Sequence, residues 1–202
     1  MDKIVQLART YRGSKVLQDF VIKANKVELD KMISRMANNM IELMLDPYAN
    51  YMIQILAKHC QPEQRLVLLQ KIAPAMYRIA CDKKGTYALQ TIVSLISTHP
   101  EDILMKQALG NHVLELSLDI QGNHVIQKLI NAVSVKNIEF IYQPLVDNFL
   151  EVATHSSGSL VFKQLIMKVD KIMQMKTTII HLVCHEMENL VQDPYGNYVI
   201  QY

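Results

Sequence analysis

The stretch DPYGNYVIQ at 193–201 repeats DPYANYMIQ at 46–54 almost letter for letter, 147 positions apart. Weaker copies stand at 12–18 (RGSKVLQ), 84–90 (KGTYALQ), 121–127 (QGNHVIQ) and 157–164 (SGSLVFKQ). Aligned on the small residue that opens each, the anchors are Gly13, Ala49, Gly85, Gly122, Gly158 and Gly196. The steps between them are 36, 36, 37, 36 and 38 residues. A period this steady restricts the chain to a repeat architecture, in which no unit buries its own apolar face and stacked neighbours supply the core.

Each anchor opens a segment with helical periodicity. After Gly122 the apolar residues are Val125, Ile126, Leu129 and Ile130. Ala88, Leu89, Ile92 and Val93 follow Gly85 in the same way, and Val161, Phe162, Leu165 and Ile166 follow Gly158. That i, i+1, i+4, i+5 stripe marks a helix buried along one side. Before each anchor runs another amphipathic stretch, such as LDKMISRMANNMIELML, QRLVLLQKIAPAMYRIAC or NIEFIYQPLVDNFLEVA. Short turns join the two, as at Asp46-Pro47 and Asp193-Pro194, where Asp suits a cap and Pro ends the preceding helix. Glycine at the anchor suits a tight turn and a helix start free of a side chain.

Each unit of about 36 residues therefore reads as a helical hairpin too short to stand alone. The predicted fold is all-α, an α-solenoid of about six repeats with both end repeats incomplete. Approximate repeat boundaries within a single domain, 1–202, are 1–25 (partial), 26–60, 61–97, 98–133, 134–170 and 171–202 (partial). The twelve Met residues suit gaps in such a core.

Half the residues are hydrophobic and a fifth are charged, enough apolar material for a core in a soluble chain. No apolar run reaches the roughly 18 residues of a membrane helix, and the N-terminal MDKIVQLART lacks the apolar segment of a secretory signal. The expectation is no membrane association. Cys60, Cys81 and Cys184 are odd in number and widely spaced, which disfavours a disulfide scaffold and fits a reducing compartment. A net charge of +2 advertises no strong polyanion preference, yet leaves room for a local basic stripe.

The functional signal lies on the helix face that the stripe leaves out. Taking the first, second and fifth residues after each anchor gives six triplets. They are Ser14, Lys15, Gln18; Asn50, Tyr51, Gln54; Thr86, Tyr87, Gln90; Asn123, His124, Gln127; Ser159, Leu160, Lys163; and Asn197, Tyr198, Gln201. First and fifth are i and i+4, one above the other, with the second beside them. The first and fifth are mostly short polar or amide groups that both donate and accept hydrogen bonds. The second is flat and π-bearing in four copies. A ring beside two edge-reading groups, repeated at regular spacing, suits single-stranded nucleic acid, with bases stacked between rings and read along the Watson–Crick edge. Solvation alone does not demand Gln at the fifth position in five copies of six.

At these residues the chain resembles the Pumilio (PUF repeat) family, and GNYVIQ at 196–201 is a highly specific signature. The resemblance implies a right-handed superhelix of three-helix repeats with RNA on its inner face, antiparallel to the protein. It implies base-edge roles for Ser14, Gln18, Asn50, Gln54, Thr86, Gln90, Asn123, Gln127, Ser159, Lys163, Asn197 and Gln201. Lys15, Tyr51, Tyr87, His124, Leu160 and Tyr198 take the stacking position, Lys15 by its stem. Asn with Gln reads uracil in that family and Ser with Gln reads adenine. Asn50/Gln54, Asn123/Gln127 and Asn197/Gln201 then take U, and Ser14/Gln18 takes A. Thr86/Gln90 leans to A. Ser159/Lys163 departs from the pattern, because lysine cannot accept and Leu160 is a poor platform; any base, a phosphate or an outward-turned base remain open there. The implied target is 5′-UNU(A)UA-3′.

By the same resemblance the full array has eight repeats, so two at the C-terminal side are missing here, including one whose Ser and Glu read G. The first copy begins late in its first helix and the last stops within its second. An uncapped end exposing Val199 and Ile200 implies either poor solubility or a contact with a second molecule, self or partner. The implied biology is repression or decay of messenger RNAs through 3′ UTR elements, with deadenylation and translation-repression proteins as partners, in the cytoplasm and without a cofactor. Two other readings stay open: a Pumilio-like ribosome-assembly factor of low sequence specificity, which would be nucleolar, and a HEAT- or armadillo-like protein-binding scaffold.

Enzyme chemistry finds little support. His181 and His185 have i, i+4 ligand spacing near Cys184 and Glu188, but HEMEN lacks the second His of HExxH. GSK at 13–15 lacks the upstream Gly of a phosphate loop. No Ser, His and Asp set stands out, so the chain is expected not to be an enzyme.

Overall fold

The residue three before each anchor closes the turn that starts the anchor helix. In the computed structural model, which describes residues 2–202, Asp46 Oδ1 accepts the N–H groups of Tyr48 and Ala49 at 2.9 and 3.0 Å. Asp82, Asp119 and Asp193 do the same for the two residues ending at Gly85, Gly122 and Gly196. Thr10 Oγ1 accepts from Gly13 N, and in the fifth copy His155 Nδ1 takes over, accepting from Ser157 N and Gly158 N at 3.1 and 3.3 Å. Each device satisfies donors that a helix start otherwise leaves orphaned.

The anchor glycines are not there for a left-handed turn, since no described residue has positive φ. They permit close approach. A Cβ on Gly122 would sit 2.7 Å from Leu116 Cδ2 and 3.0 Å from Leu116 O, and one on Gly85 2.9 Å from Ile79 O. Ala49, fully buried at the same register, shows that a methyl is accommodated in one copy.

Two compact units divide at Ala108/Leu109. The first holds α1 (Lys3–Ala8), α2 (Tyr11–Lys23), α3 (Lys26–Met36), α4 (Met40–Leu45), α5 (Ala49–His59), α6 (Pro62–Ile72), α7 (Met76–Cys81) and α8 (Gly85–Ser94), and ends one residue short of the close of α9 (His99–Leu109). The second holds α10 (Val113–Leu118), α11 (Gly122–Ala132), α12 (Glu139–Asp147), α13 (Phe149–Ala153), α14 (Gly158–Val169), α15 (Met173–His185), α16 (Met187–Gln192) and α17 (Gly196–Ile200). No strand occurs among the described residues.

The stretches before the anchors are thus two helices each, not one arm of a hairpin. A 3-10 turn breaks them at Ala37–Asn39, Ala73–Ala75 and Gly110–His112. Pro74 and Gly110 disfavour a continuous helix there, and Asn38 and Asn39 are weak helix formers. In the fifth repeat the break comes at Asn148, whose Nδ2 donates to Pro144 O at 2.9 Å.

Within the first unit α2, α5 and α8 pack side by side, each backed by its own short helix, with α3 against α6. Within the second, α11, α14 and α17 repeat the arrangement. The stripes named from sequence fill the space between. Val125, Ile126, Leu129, Ile130, Ala88, Leu89, Val93, Val161, Phe162 and Leu165 have no exposed surface, while Ile166 is half-buried. Fully burying one such Val, Leu, Ile or Phe side chain contributes about 1.5–3 kcal/mol. Met32, Met36, Met40, Met44, Met52, Met76 and Met105 are buried among them.

Polar ties between repeats recur near the period. Arg65 Nε lies 2.6 Å from Glu101 Oε1, with both side chains almost fully buried. Glu101 also accepts from Ser97 N, Thr98 N and Thr98 Oγ1. Burial pushes its carboxyl up, but Arg65 and these donors outweigh burial and hold it below its ordinary value. Arg9 pairs with Asp46 at 3.0 Å, and in the second unit Gln164 Nε2 donates to Asn131 Oδ1 at 2.8 Å. Among the described residues no helix is long and apolar enough to cross a membrane.

Candidate nucleic-acid interface

Helix geometry puts the first and fifth positions of each triplet in hydrogen-bond reach, and four copies make that bond. Gln54 Nε2 donates to Asn50 Oδ1 at 3.1 Å and Gln127 Nε2 to Asn123 Oδ1 at 2.9 Å. Gln18 Nε2 donates to Ser14 Oγ at 3.1 Å and Gln90 Nε2 to Thr86 Oγ1 at 2.9 Å. The first-position groups are themselves locked. Asn50, Asn123 and Asn197 donate Nδ2 to the carbonyls of Asp46, Asp119 and Asp193 at 2.8, 2.9 and 2.9 Å. Ser14 Oγ donates to Tyr48 O at 2.8 Å. All first positions are buried except half-buried Asn197.

This arrangement differs from two free amides reading an edge together. The asparagine spends its N–H groups on the backbone and its oxygen on the glutamine. Gln18, Gln54, Gln90 and Gln127 stay half-buried, each with one N–H committed and a second N–H beside the carbonyl oxygen still available. Gln54 Oε1 also lies 3.5 Å from Thr91 Oγ1.

The second positions project outward. Tyr51, Tyr87 and Tyr198 are each 57% exposed and Leu160 is 51% exposed. His124 and Lys15 are exposed as well. Lys15 Nζ sits 4.5 Å from the centroid of the Tyr11 ring, a cation on an aromatic face.

Two grooves occupy matching places, one in each unit. The first, about 540 Å³, is lined by the triplet Ser14, Lys15 and Gln18 together with Tyr48 and Tyr51. The second, about 300 Å³, is lined by the triplet Ser159, Leu160 and Lys163 together with Tyr195 and Tyr198. Each groove takes in the second-position residues of two consecutive repeats. Tyr48 and Tyr195, immediately before their anchors, escaped the sequence reading, as did Tyr11, which meets Tyr48 edge to face at 6.2 Å. Their signal was present one position upstream of the alignment, where Tyr recurs in two copies and Arg12 and Lys84 supply cations.

Two copies lack the Gln bond. In the fifth, Lys163 Nζ contacts the Tyr202 hydroxyl and lies 3.9 Å from that ring's centroid, while Ser159 Oγ turns to Ser156 O at 3.4 Å. In the sixth, Gln201 follows the last residue of α17 and is exposed, and among the described residues it has no bond to Asn197. The His181 cluster does not converge. His181, Cys184, His185 and Glu188 are exposed, and His185 Nδ1 lies 2.8 Å from Glu186 Oε1. No set of His, Cys, Asp and Glu among the described residues is arranged to hold a metal ion.

The pattern of the Pumilio-family RNA binding repeat matches residues 39–73, 112–144, 148–170 and 188–202, just over half the chain. The chain belongs to the Pumilio family. A Pumilio domain-containing protein of Schizosaccharomyces pombe is 33% identical over 199 residues, covering 98% of this chain and 29% of that protein. The Puf4 RNA binding domain, solved bound to the HO endonuclease RNA 3′ UTR recognition sequence, superposes with a TM-score of 0.88 at 30% identity, over 97% of this chain and 60% of that one. The RNA-binding domain of yeast Puf5p, bound to SMX2 RNA, gives 0.84 at 28% identity, over 100% and 58%. This Pumilio chain therefore spans under a third of the curated relative and about three fifths of the solved domains. The match identifies a solenoid of Pumilio repeats, set apart from HEAT or armadillo arrays, in a family of RNA-binding repeats rather than enzymes.

Proposed function

We propose that this chain binds single-stranded RNA in a sequence-specific way, one base per repeat, with a target of about 5′-UNU(A)UA-3′. The observation that carries the reading is the recurring Gln side chain, anchored on one N–H by a buried partner and set beside an exposed ring. Its remaining N–H and oxygen form an adjacent donor and acceptor. Uracil offers the complement as N3–H beside a carbonyl, and adenine as N1 beside its amino group. The anchoring residue then tunes the choice by its size and its own oxygen. Stacking on Tyr51, Tyr87, His124 and Tyr198 supplies most of the affinity, at about 1–3 kcal/mol per base, and phosphate contacts add a salt-dependent part.

Puf4 is bound to a 3′ UTR recognition sequence. By analogy this chain acts on 3′ UTR elements of messenger RNAs in the cytoplasm, directing their repression or decay through deadenylation and translation-repression proteins. The test is a change of one floor. Replacing Asn123 and Gln127 with Ser and Glu supplies a carboxylate that accepts both N–H groups of a guanine edge. The preference at that position should move from U to G, with the other positions unchanged. An equal response of all positions, or none, would contradict base reading.

A further inference from the structure

We propose that Lys163 makes the groove of the fifth repeat a cytosine-selecting slot. The inference rests on the base-reading function above and assigns the one position whose floor departs from it. In the Gln-floored copies the protein offers a donor and an acceptor side by side. At the fifth copy the ammonium offers donors alone. It is held within the groove, 3.9 Å from the Tyr202 ring centroid, rather than swung into solvent. Ser159, 7% exposed, directs its hydroxyl towards Ser156 O and keeps an oxygen lone pair as an acceptor beside the ammonium.

A donor-only group favours a base edge with neighbouring acceptors. Cytosine alone presents two adjacent acceptors, N3 and O2, on its Watson–Crick edge; its amino group can donate to Ser159 Oγ or to water. Uracil N3–H, guanine N1–H and the adenine amino group would each face the ammonium with no acceptor, and a desolvated donor left unpaired is costly. Leu160 provides an apolar wall opposite Tyr198, which tolerates a small ring without demanding a large one.

The test uses the whole chain and four RNAs of sequence UNUAUA in identical flanks, with N as A, C, G or U, measured by fluorescence anisotropy at one fixed salt concentration. The RNA with C should bind about tenfold tighter than the other three, the factor expected from one charge-assisted hydrogen bond made to C and not to the others. Lys163→Gln recreates the Ser/Gln floor of the first copy, and should lose the preference for C and gain one for A. Its thermal melt and its response to replacing the final A of the RNA should match those of the parent chain. Equal affinity for the four RNAs overturns the proposal, including the case where Lys163→Gln weakens all four alike, as loss of a phosphate contact would. So does a C preference that survives in Lys163→Gln. If replacing the final A, opposite Ser14 and Gln18, also has no effect on the parent chain, base reading as a whole has failed rather than this slot alone.

Discussion

Gln127 donates an N–H to the buried Oδ1 of Asn123 across 2.9 Å, while Asn123 Nδ2 is held by the carbonyls of Asp119 and Ile120. The helix turn thus fixes the asparagine, and the asparagine fixes the glutamine. Preorganising a reading group in this way lowers the entropy lost when a base arrives.

Asn123→Ala removes that support and the donor serving both carbonyls. The expected cost is about 1–2 kcal/mol of folding stability, read by thermal melting. RNA affinity should fall about tenfold, with discrimination lost at that position only. Retained discrimination would mean that Gln127 is oriented by something other than Asn123.

Tyr87→Ala acts on a different quantity. The ring is 57% exposed. Folding should be nearly unaffected, and RNA affinity should fall by about 1–3 kcal/mol. Because every base has a π face, the order of preference among RNAs should stay the same. Competition binding with a small RNA panel checks both parts.

Much of this was legible in the residues. The period of the anchors, the apolar stripes behind Gly85, Gly122 and Gly158, and the pairing of first and fifth positions follow from spacing and helical geometry. The break between Met36 and Met40 was not legible, because LDKMISRMANNMIELML keeps its amphipathic pattern across the 3-10 turn. Nor was the buried Arg65–Glu101 pair, whose partners stand 36 residues apart and carry no local signature. The locked state of the asparagines depends on which carbonyls the helix turn leaves nearby, and residue type alone does not give that.

The Arg65–Glu101 pair sets an acid limit on the first unit. Glu101 titrates below its ordinary 4.5 in the folded chain. A depressed carboxyl contributes stability that is fully present above the unfolded value and is lost as pH falls through the folded one. Melting temperature should therefore drop as pH falls through and below the ordinary carboxylate range. Glu101→Gln leaves Arg65 buried without its counter-charge, so it should cost about 3–5 kcal/mol at neutral pH. The same variant should flatten the acid dependence. A parent-like slope in the variant would assign the acid limit elsewhere.

His155 stands where four other repeats place Asp, and only its neutral ring can accept the N–H groups of Ser157 and Gly158. His155→Asp installs the acceptor of the other copies. It should raise stability by about 0.5–1 kcal/mol, read as a shift in the denaturant midpoint at unchanged slope. A loss of stability would show that the imidazole makes contacts a carboxylate cannot replace.

The most direct measurement is selection of bound sequences from a random RNA pool by the whole chain. Enrichment of a six-base motif of the form UNUAUA, with U at the positions assigned to Asn197, Asn123 and Asn50, is the expected result. Recovery of RNA with no common sequence, or recovery of none, would contradict a chain that reads one base per repeat.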